Sequence, residues 1–131
     1  MTTIHEDRDP ILRWLAASLF ILAGGNHFVM PDFYLKIVPP GLPSPSLLVI
    51  VSGLAEIAGG AGLLVPGLRR AAGWGLIALL IAVFPANIYM AIHPEGFSIP
   101  AWILWVRLPF QFVFAAWIWA VALRRDPEEY R

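Results

Sequence analysis

The sequence predicts an all-α integral membrane protein, a bundle of four transmembrane helices forming one domain over residues 1–131. Three observations lead to this prediction. Apolar residues make up 59% of the chain and charged residues 14%, whereas a soluble domain carries about 25% charged residues. Four apolar stretches have the length of about 20 residues that crosses a bilayer core. The arginines that flank these stretches fall on one side of the membrane, as the positive-inside rule requires.

The four predicted spans are separated by short polar or proline-rich segments and cover residues 11–30, 46–65, 71–92 and 101–123. The first span follows acidic residues and shows no small-residue cleavage pattern before Pro31, so we expect a membrane span rather than a signal peptide. The second contains glycines around Glu56, and small residues let another helix approach closely. The third and fourth contain Pro85 and Pro109, each of which frees a backbone carbonyl and is expected to kink its helix.

Six arginines set the predicted orientation, because all of them flank the spans on the same side. They are Arg8, Arg13, Arg69, Arg70, Arg124 and Arg125. The loops on the other side carry only Lys36 as a strong base. We therefore expect a multi-pass protein of the plasma or inner membrane with both termini in the cytoplasm. The loop 31–45, which holds five of the twelve prolines, is expected to lie at the outer interface.

Arg107 lies inside an otherwise apolar span, where its guanidinium cannot lose its charge by deprotonation. A charge within a membrane indicates a functional site and needs a partner. Glu56 is the one acid inside an apolar stretch, so we predict an Arg107–Glu56 ion pair. A helical rise of about 1.5 Å per residue places further polar side chains in the same outer half of the membrane. The predicted ligand-binding site or polar network comprises His27, Glu56, Asn87, Arg107 and Gln111.

Two interpretations of this network stay open. In the structural one, the pair only locks the helices in register, because breaking a buried ion pair costs about 3–5 kcal/mol. In the functional one, a pocket opens to the outer interface, Arg107 binds an anionic or carbonyl group, and Glu56 and His27 move protons. No metal site is predicted, since His27 and His93 could bind metal or haem only if the fold brought them together. The chain has no cysteine and no net charge, which argues against dithiol chemistry and a nucleic-acid partner.

Four motifs carry a resemblance to a known family. They are Asn26-His27-Phe28, Gly53-Leu-Ala-Glu56-Ile-Ala-Gly59-Gly60, Pro85-Ala-Asn87-Ile-Tyr89-Met90-Ala91 and Arg107-Leu-Pro109-Phe-Gln111. Over about residues 11–123 the chain resembles the DoxX-like small membrane proteins. The resemblance implies a four-helix membrane fold and a link to thiosulfate:quinone oxidoreduction or to membrane-bound oxidoreductase complexes. Distant relatives act as membrane chaperones or bind lipid-like ligands.

The expected function is that of a redox-accessory subunit that binds a quinone-like or other amphipathic molecule in the outer half of the bundle. Quinone is then the candidate cofactor, and the partners are the lipid bilayer and a membrane oxidoreductase, with the chain a subunit rather than an enzyme alone. The alternative is a non-catalytic assembly or stabilising partner in which Glu56 and Arg107 are purely structural. A transporter is a third interpretation, and it requires an oligomer because four short helices make a poor pore.

Overall fold

All regular structure in residues 10–124, the part of the chain that the computed structural model describes, is helical. The elements are α1 (Pro10–Val29), α2 (Pro31–Ile37), α3 (Pro45–Leu63), α4 (Arg69–Ile92), a 3-10 turn (Pro94–Gly96) and α5 (Ala101–Ile118), which continues as a π-helical turn (Trp119–Leu123). The predicted all-α class is confirmed. With the π-helical turn counted as part of α5, the long helices begin and end within two residues of the predicted spans.

Three of these segments are long and apolar enough to cross a membrane, namely α3, α4 and α5 with its π-helical turn. The first helix, α1, meets the same criteria only together with α2, and the two are bent by 98° at their junction. The described residues therefore contain three candidate spans, or four when the bent pair counts as one.

The short helix α2 lies in a segment predicted to be a loop. Pro31 occupies the start of α2, where its fixed φ angle suits a helix and its missing N–H is not needed. Asp32 follows in the first turn and interacts favourably with the helix dipole. The rest of the predicted loop is non-helical up to Ser44, and it turns at Gly41, whose φ is +97°.

Glycines allow α1 and α3 to pack closely along their length. A Cβ added to Gly24 would lie 2.6 Å from the carbonyl oxygen of Gly53, and one added to Gly53 would lie 2.9 Å from the Cβ of His27. A Cβ on Gly60 would lie 2.9 Å from the carbonyl oxygen of Ala17. The close approach expected from the glycines of the second span is therefore present, and its partner is α1.

The start of α1, the α3–α4 turn and the end of α5 meet at one end of the structure. Trp117 Nε1 donates to the Leu12 carbonyl oxygen at 3.1 Å. Arg70 Nη1 donates to the Leu123 carbonyl oxygen at 3.3 Å. Because Arg13, Arg69, Arg70 and Arg124 all belong to these segments, we call this the arginine end. The opposite end, where α2 packs, is the α2 end.

Each end has its own apolar cluster. The cluster at the arginine end consists of Ala16, Ala17, Phe20, Leu63, Leu76 and Ile118. The cluster at the α2 end consists of Ile37, Met90, Ala91 and Leu104. The helices are therefore held together at both ends, and the region between the two clusters is not filled by either of them.

Candidate functional site

A partly open cavity of about 700 Å³ lies between the two apolar clusters. Phe20 of the arginine-end cluster and Ile37 of the α2-end cluster both contribute to its wall. All five predicted site residues line this one cavity, namely His27, Glu56, Asn87, Arg107 and Gln111. Most of the remaining wall is apolar. This volume falls within the range of about 300–1,000 Å³ that is typical of small-molecule pockets.

His27 of α1 and Glu56 of α3 form a direct contact in the cavity wall. His27 Nε2 and Glu56 Oε2 are 2.9 Å apart, and the two side chains are 11% and 19% exposed. Glu56 Oε2 is buried and has no well-aligned hydrogen-bond donor within residues 10–124. The contact is therefore a close polar one without the geometry of a hydrogen bond.

Two glycines explain why these side chains meet. In the antiparallel pair α1–α3, His27 packs over Gly53, and Glu56 packs over Gly24. Each ionisable residue follows the glycine of its own helix by three positions, so glycine and ionisable residue share a helix face. This reciprocal pattern of a glycine followed three residues later by an ionisable residue is visible in the sequence and is the signal that would have paired Glu56 with His27.

The other ring nitrogen of His27 also contacts α3. His27 Nδ1 lies 3.0 Å from the Val49 carbonyl oxygen and 3.2 Å from Ser52 Oγ. A carbonyl oxygen only accepts, and Ser52 Oγ already donates to the same carbonyl at 3.1 Å, so Nδ1 carries a proton. Nε2 therefore faces Glu56 either as the acceptor nitrogen of a neutral ring or as the second N–H of a cationic ring.

Tyr34 of α2 covers His27 from the α2 end. The two rings are stacked with centroids 3.9 Å apart, and Asn26 Nδ2 donates to the Tyr34 hydroxyl at 3.0 Å. The sharp bend between α1 and α2 brings Tyr34 back over the last turn of α1. From the sequence, Tyr34 was expected to lie in the interfacial loop 31–45. Pro31 was the available signal that this segment begins with a helix.

Arg107 lies across the cavity on α5, and the predicted ion pair with Glu56 is not formed. Arg107 Nη1 donates to the Met90 sulfur at 3.1 Å, a weak acceptor. Within residues 10–124 no carboxylate oxygen lies within 4.0 Å of its guanidinium nitrogens, because Glu56 contacts His27 instead. Depth along the helices was estimated correctly enough to place both residues at one cavity. The rotation of α3 about its axis, which turns Glu56 towards α1, was not predicted.

Gln111 follows Arg107 by one turn on the same helix face. It is only 9% exposed, and its Oε1 is buried without a hydrogen-bond partner. Gln111 Oε1 therefore accepts no hydrogen bond from Arg107.

A family model described as Domain of unknown function (DUF8561) matches residues 15–122. The chain belongs to the DUF8561 family. No curated protein and no solved structure matches the chain. The five cavity residues predicted from the sequence all lie within the DUF8561 match, and so do Tyr34 and Ser52.

The chemistry that this DUF8561 cavity offers differs from wall to wall. The α1–α3 wall holds the contact between His27 and Glu56, whereas α4 and α5 contribute Asn87, Arg107 and Gln111. No group of three or more His, Cys, Asp or Glu side chains in residues 10–124 is placed to hold a metal ion. The arrangement suits an organic molecule with a polar head and an apolar body.

Proposed function

We propose that this chain is an integral membrane protein whose cavity binds a quinone-like or other amphipathic molecule on behalf of a membrane oxidoreductase. The observation that carries the proposal is the convergence of five polar residues from four helices on one cavity of about 700 Å³. Ionisable side chains are rare within membrane spans, and where they occur they mark the paths or binding sites of substrates and ions.

The shape and composition of the cavity support an amphipathic ligand. Apolar side chains such as Leu80, Val83, Phe110 and Phe114 dominate its wall, and these suit a ring system or hydrocarbon tail. The polar residues are restricted to a few positions, where they would fix the orientation of an oxygen-bearing head group. The imidazole of His27 beside the carboxyl group of Glu56 suits a ligand whose hydroxyl or carbonyl gains or loses a proton.

In the membrane, this proposal places the α2 end outside and the arginine end in the cytoplasm, with both termini on the cytoplasmic side. Four arginines at one end support this orientation through the positive-inside rule. A fluorescent protein that folds only in the cytoplasm, fused to the C-terminus, tests it. Fluorescence in intact cells is expected, and a dark fusion of full length would reverse the orientation.

The oxidoreductase partner rests on the resemblance to DoxX-like proteins. Membranes from cells with and without this chain should differ in quinone-dependent electron transfer. Equal rates in the two membranes would remove the redox part of the proposal and leave the ligand-binding part.

A second candidate function is structural, and one specific observation favours it. The His27–Glu56 contact, together with the Ser52 and Val49 hydrogen bonds, ties α1 to α3 in addition to the glycine packing. A chain whose only role is to stabilise or assemble another membrane protein would need this tie but would have no use for the cavity.

Filling the cavity distinguishes the two candidates without removing a polar group. Ala86 lines the cavity on α4, whereas Ala78 is exposed on the same helix and serves as the control position. We expect Ala86→Phe to abolish the binding of a short-chain quinone to the purified protein in neutral detergent, and Ala78→Phe to leave it intact. A wild-type protein that binds no quinone or other amphiphile, or equal binding by both variants, contradicts the proposal.

A further inference from the structure

The acidic groups in residues 10–124 are few enough to account for one by one. They are Asp32, Glu56 and Glu95. Asp32 and Glu95 are exposed at the α2 end, and neither lies within 4.0 Å of a guanidinium nitrogen of Arg107. Glu56 is the only acid that lines the cavity, and it is engaged with His27.

The positive charge of Arg107 consequently has no ionic partner in direct contact within residues 10–124. The carboxyl group of Glu56 lies 2.9 Å from His27 Nε2 instead. Arg107 keeps its charge at any physiological pH, and the contact that it makes is to the uncharged sulfur of Met90. The described residues that line the cavity include no other charged group.

A charge of this kind is costly within a membrane unless something pairs with it. Guanidinium groups bind carboxylates and phosphates through two parallel N–H···O bonds, and such charge-assisted bonds are about twice as strong as neutral ones. A neutral quinone offers only carbonyl oxygens and would leave the charge of Arg107 uncompensated.

We infer that the preferred ligand is an anionic amphiphile, with one carboxylate or phosphate bound by Arg107 and its apolar body in the rest of the cavity. This inference rests on the proposed function, because it names the ligand class of the same cavity. The anion has two possible sources, a free single-chain acid or the phosphate of a phospholipid with a net negative charge.

The test compares two probes with the same chain, dodecanoate and 1-dodecanol, at mildly alkaline pH, where the carboxylate is ionised. The protein is placed in phosphatidylcholine nanodiscs, and binding is expressed relative to empty nanodiscs to remove differences in membrane partitioning. We expect wild-type protein to prefer dodecanoate by about tenfold or more, the ratio that corresponds to one hydrogen bond to a charged group. Arg107→Gln should abolish the preference, and Arg107→Lys should retain most of it.

The outcomes separate failure of the inference from failure of the proposed function. Equal affinity of wild-type protein for both probes overturns the anionic ligand but leaves an amphiphile site. Binding of neither probe, nor of a short-chain quinone, overturns both. Because the wild-type ratio is informative by itself, the inference stays falsifiable even where Arg107→Gln does not fold.

A second arm identifies the source of the anion. The dodecanoate titration is repeated in nanodiscs that contain phosphatidylglycerol. Competition that disappears in Arg107→Gln supports a phospholipid phosphate as the occupant, and an unchanged dodecanoate affinity supports a free acid. A preference for dodecanoate that persists unchanged in a folded Arg107→Gln variant overturns the assignment to Arg107.

Discussion

The contact between α1 and α3 at Gly24 leaves no room for a side chain. A Cβ added there would lie 2.6 Å from the Gly53 carbonyl oxygen and 2.9 Å from Glu56 Cβ. These neighbours are a backbone atom and the root of a side chain, so neither can move aside without moving α3. Ordinary contact begins at 3.4 Å, so Gly24→Ala would force the helices apart by about 0.8 Å in a tightly packed region.

The magnitude follows from a matched control on the next residue. Gly25 has no atom within 4 Å of an added Cβ. Both substitutions gain helix propensity, worth about 1 kcal/mol in soluble helices, so the difference between the variants isolates the packing term. We expect Gly24→Ala to be less stable than Gly25→Ala by about 1–3 kcal/mol, the usual cost of overpacking.

The assay is reversible unfolding of the purified protein in mixed micelles, followed by circular dichroism as the fraction of denaturing detergent rises. A ligand titration on the same samples reports on the cavity, because Gly24 lies one turn before His27, which lines it. Gly24→Ala should weaken binding as well as folding, while Gly25→Ala should leave both intact. Equal stabilities for the two variants would refute the packing argument and the helix register on which the His27–Glu56 contact depends.

Three further substitutions probe individual contacts by the same unfolding assay. Glu56→Gln keeps the shape of the side chain but leaves His27 without a carboxyl partner, so we expect the free energy of unfolding to fall by about 1–3 kcal/mol. An unchanged stability would show that the contact contributes nothing. Tyr34→Phe keeps the stacked ring and removes only the hydroxyl that accepts from Asn26, so we expect a loss of about 0.5–1.5 kcal/mol in the free energy of unfolding. A loss as large as that of Tyr34→Ala would show that the hydroxyl, and not the ring, provides the stability. Trp117→Phe removes the hydrogen bond to the first turn of α1 at a similar expected cost, and a variant as stable as wild type would mean that the arginine end is held by its apolar cluster alone.

The long helices were predictable because apolar length is a strong signal in this chain. Stretches of about 20 apolar residues in a membrane have few alternatives to a helix. Prolines mark two of the helix starts, because α3 begins at Pro45 and α5 begins at Ala101, directly after Pro100. The helix α2 was not predictable by the same means. Seven residues are too few to show a helical period, and five prolines in 15 residues suggested a loop.

The composition of the candidate site was predictable, and its internal pairing was not. Rise per residue locates a side chain along a helix, which is enough to place Glu56, Arg107 and Gln111 at one cavity. It does not give the rotation of the helix about its axis. That rotation is determined by where neighbouring backbones can approach, and here the approach occurs at Gly24 and Gly53. An estimate from the glycines, rather than from charge complementarity, would have paired Glu56 with His27.

Because Glu56 contacts His27 and not Arg107, the structural role and the ligand-binding role that we had expected of one Glu56–Arg107 pair belong to different residues. Glu56 and His27 join α1 to α3, so changes there should act first on stability. Arg107 lies on α5, where its only described contact is a thioether, so its removal should act first on ligand affinity and should cost little in folding. If a folded Arg107→Gln variant is as stable as wild type while Glu56→Gln is not, the structural tie and the candidate ligand site are different sets of residues in the same cavity wall. If Arg107→Gln is the more destabilised of the two, the guanidinium supports the fold through its Met90 contact, and the case for a ligand that neutralises it becomes correspondingly weaker.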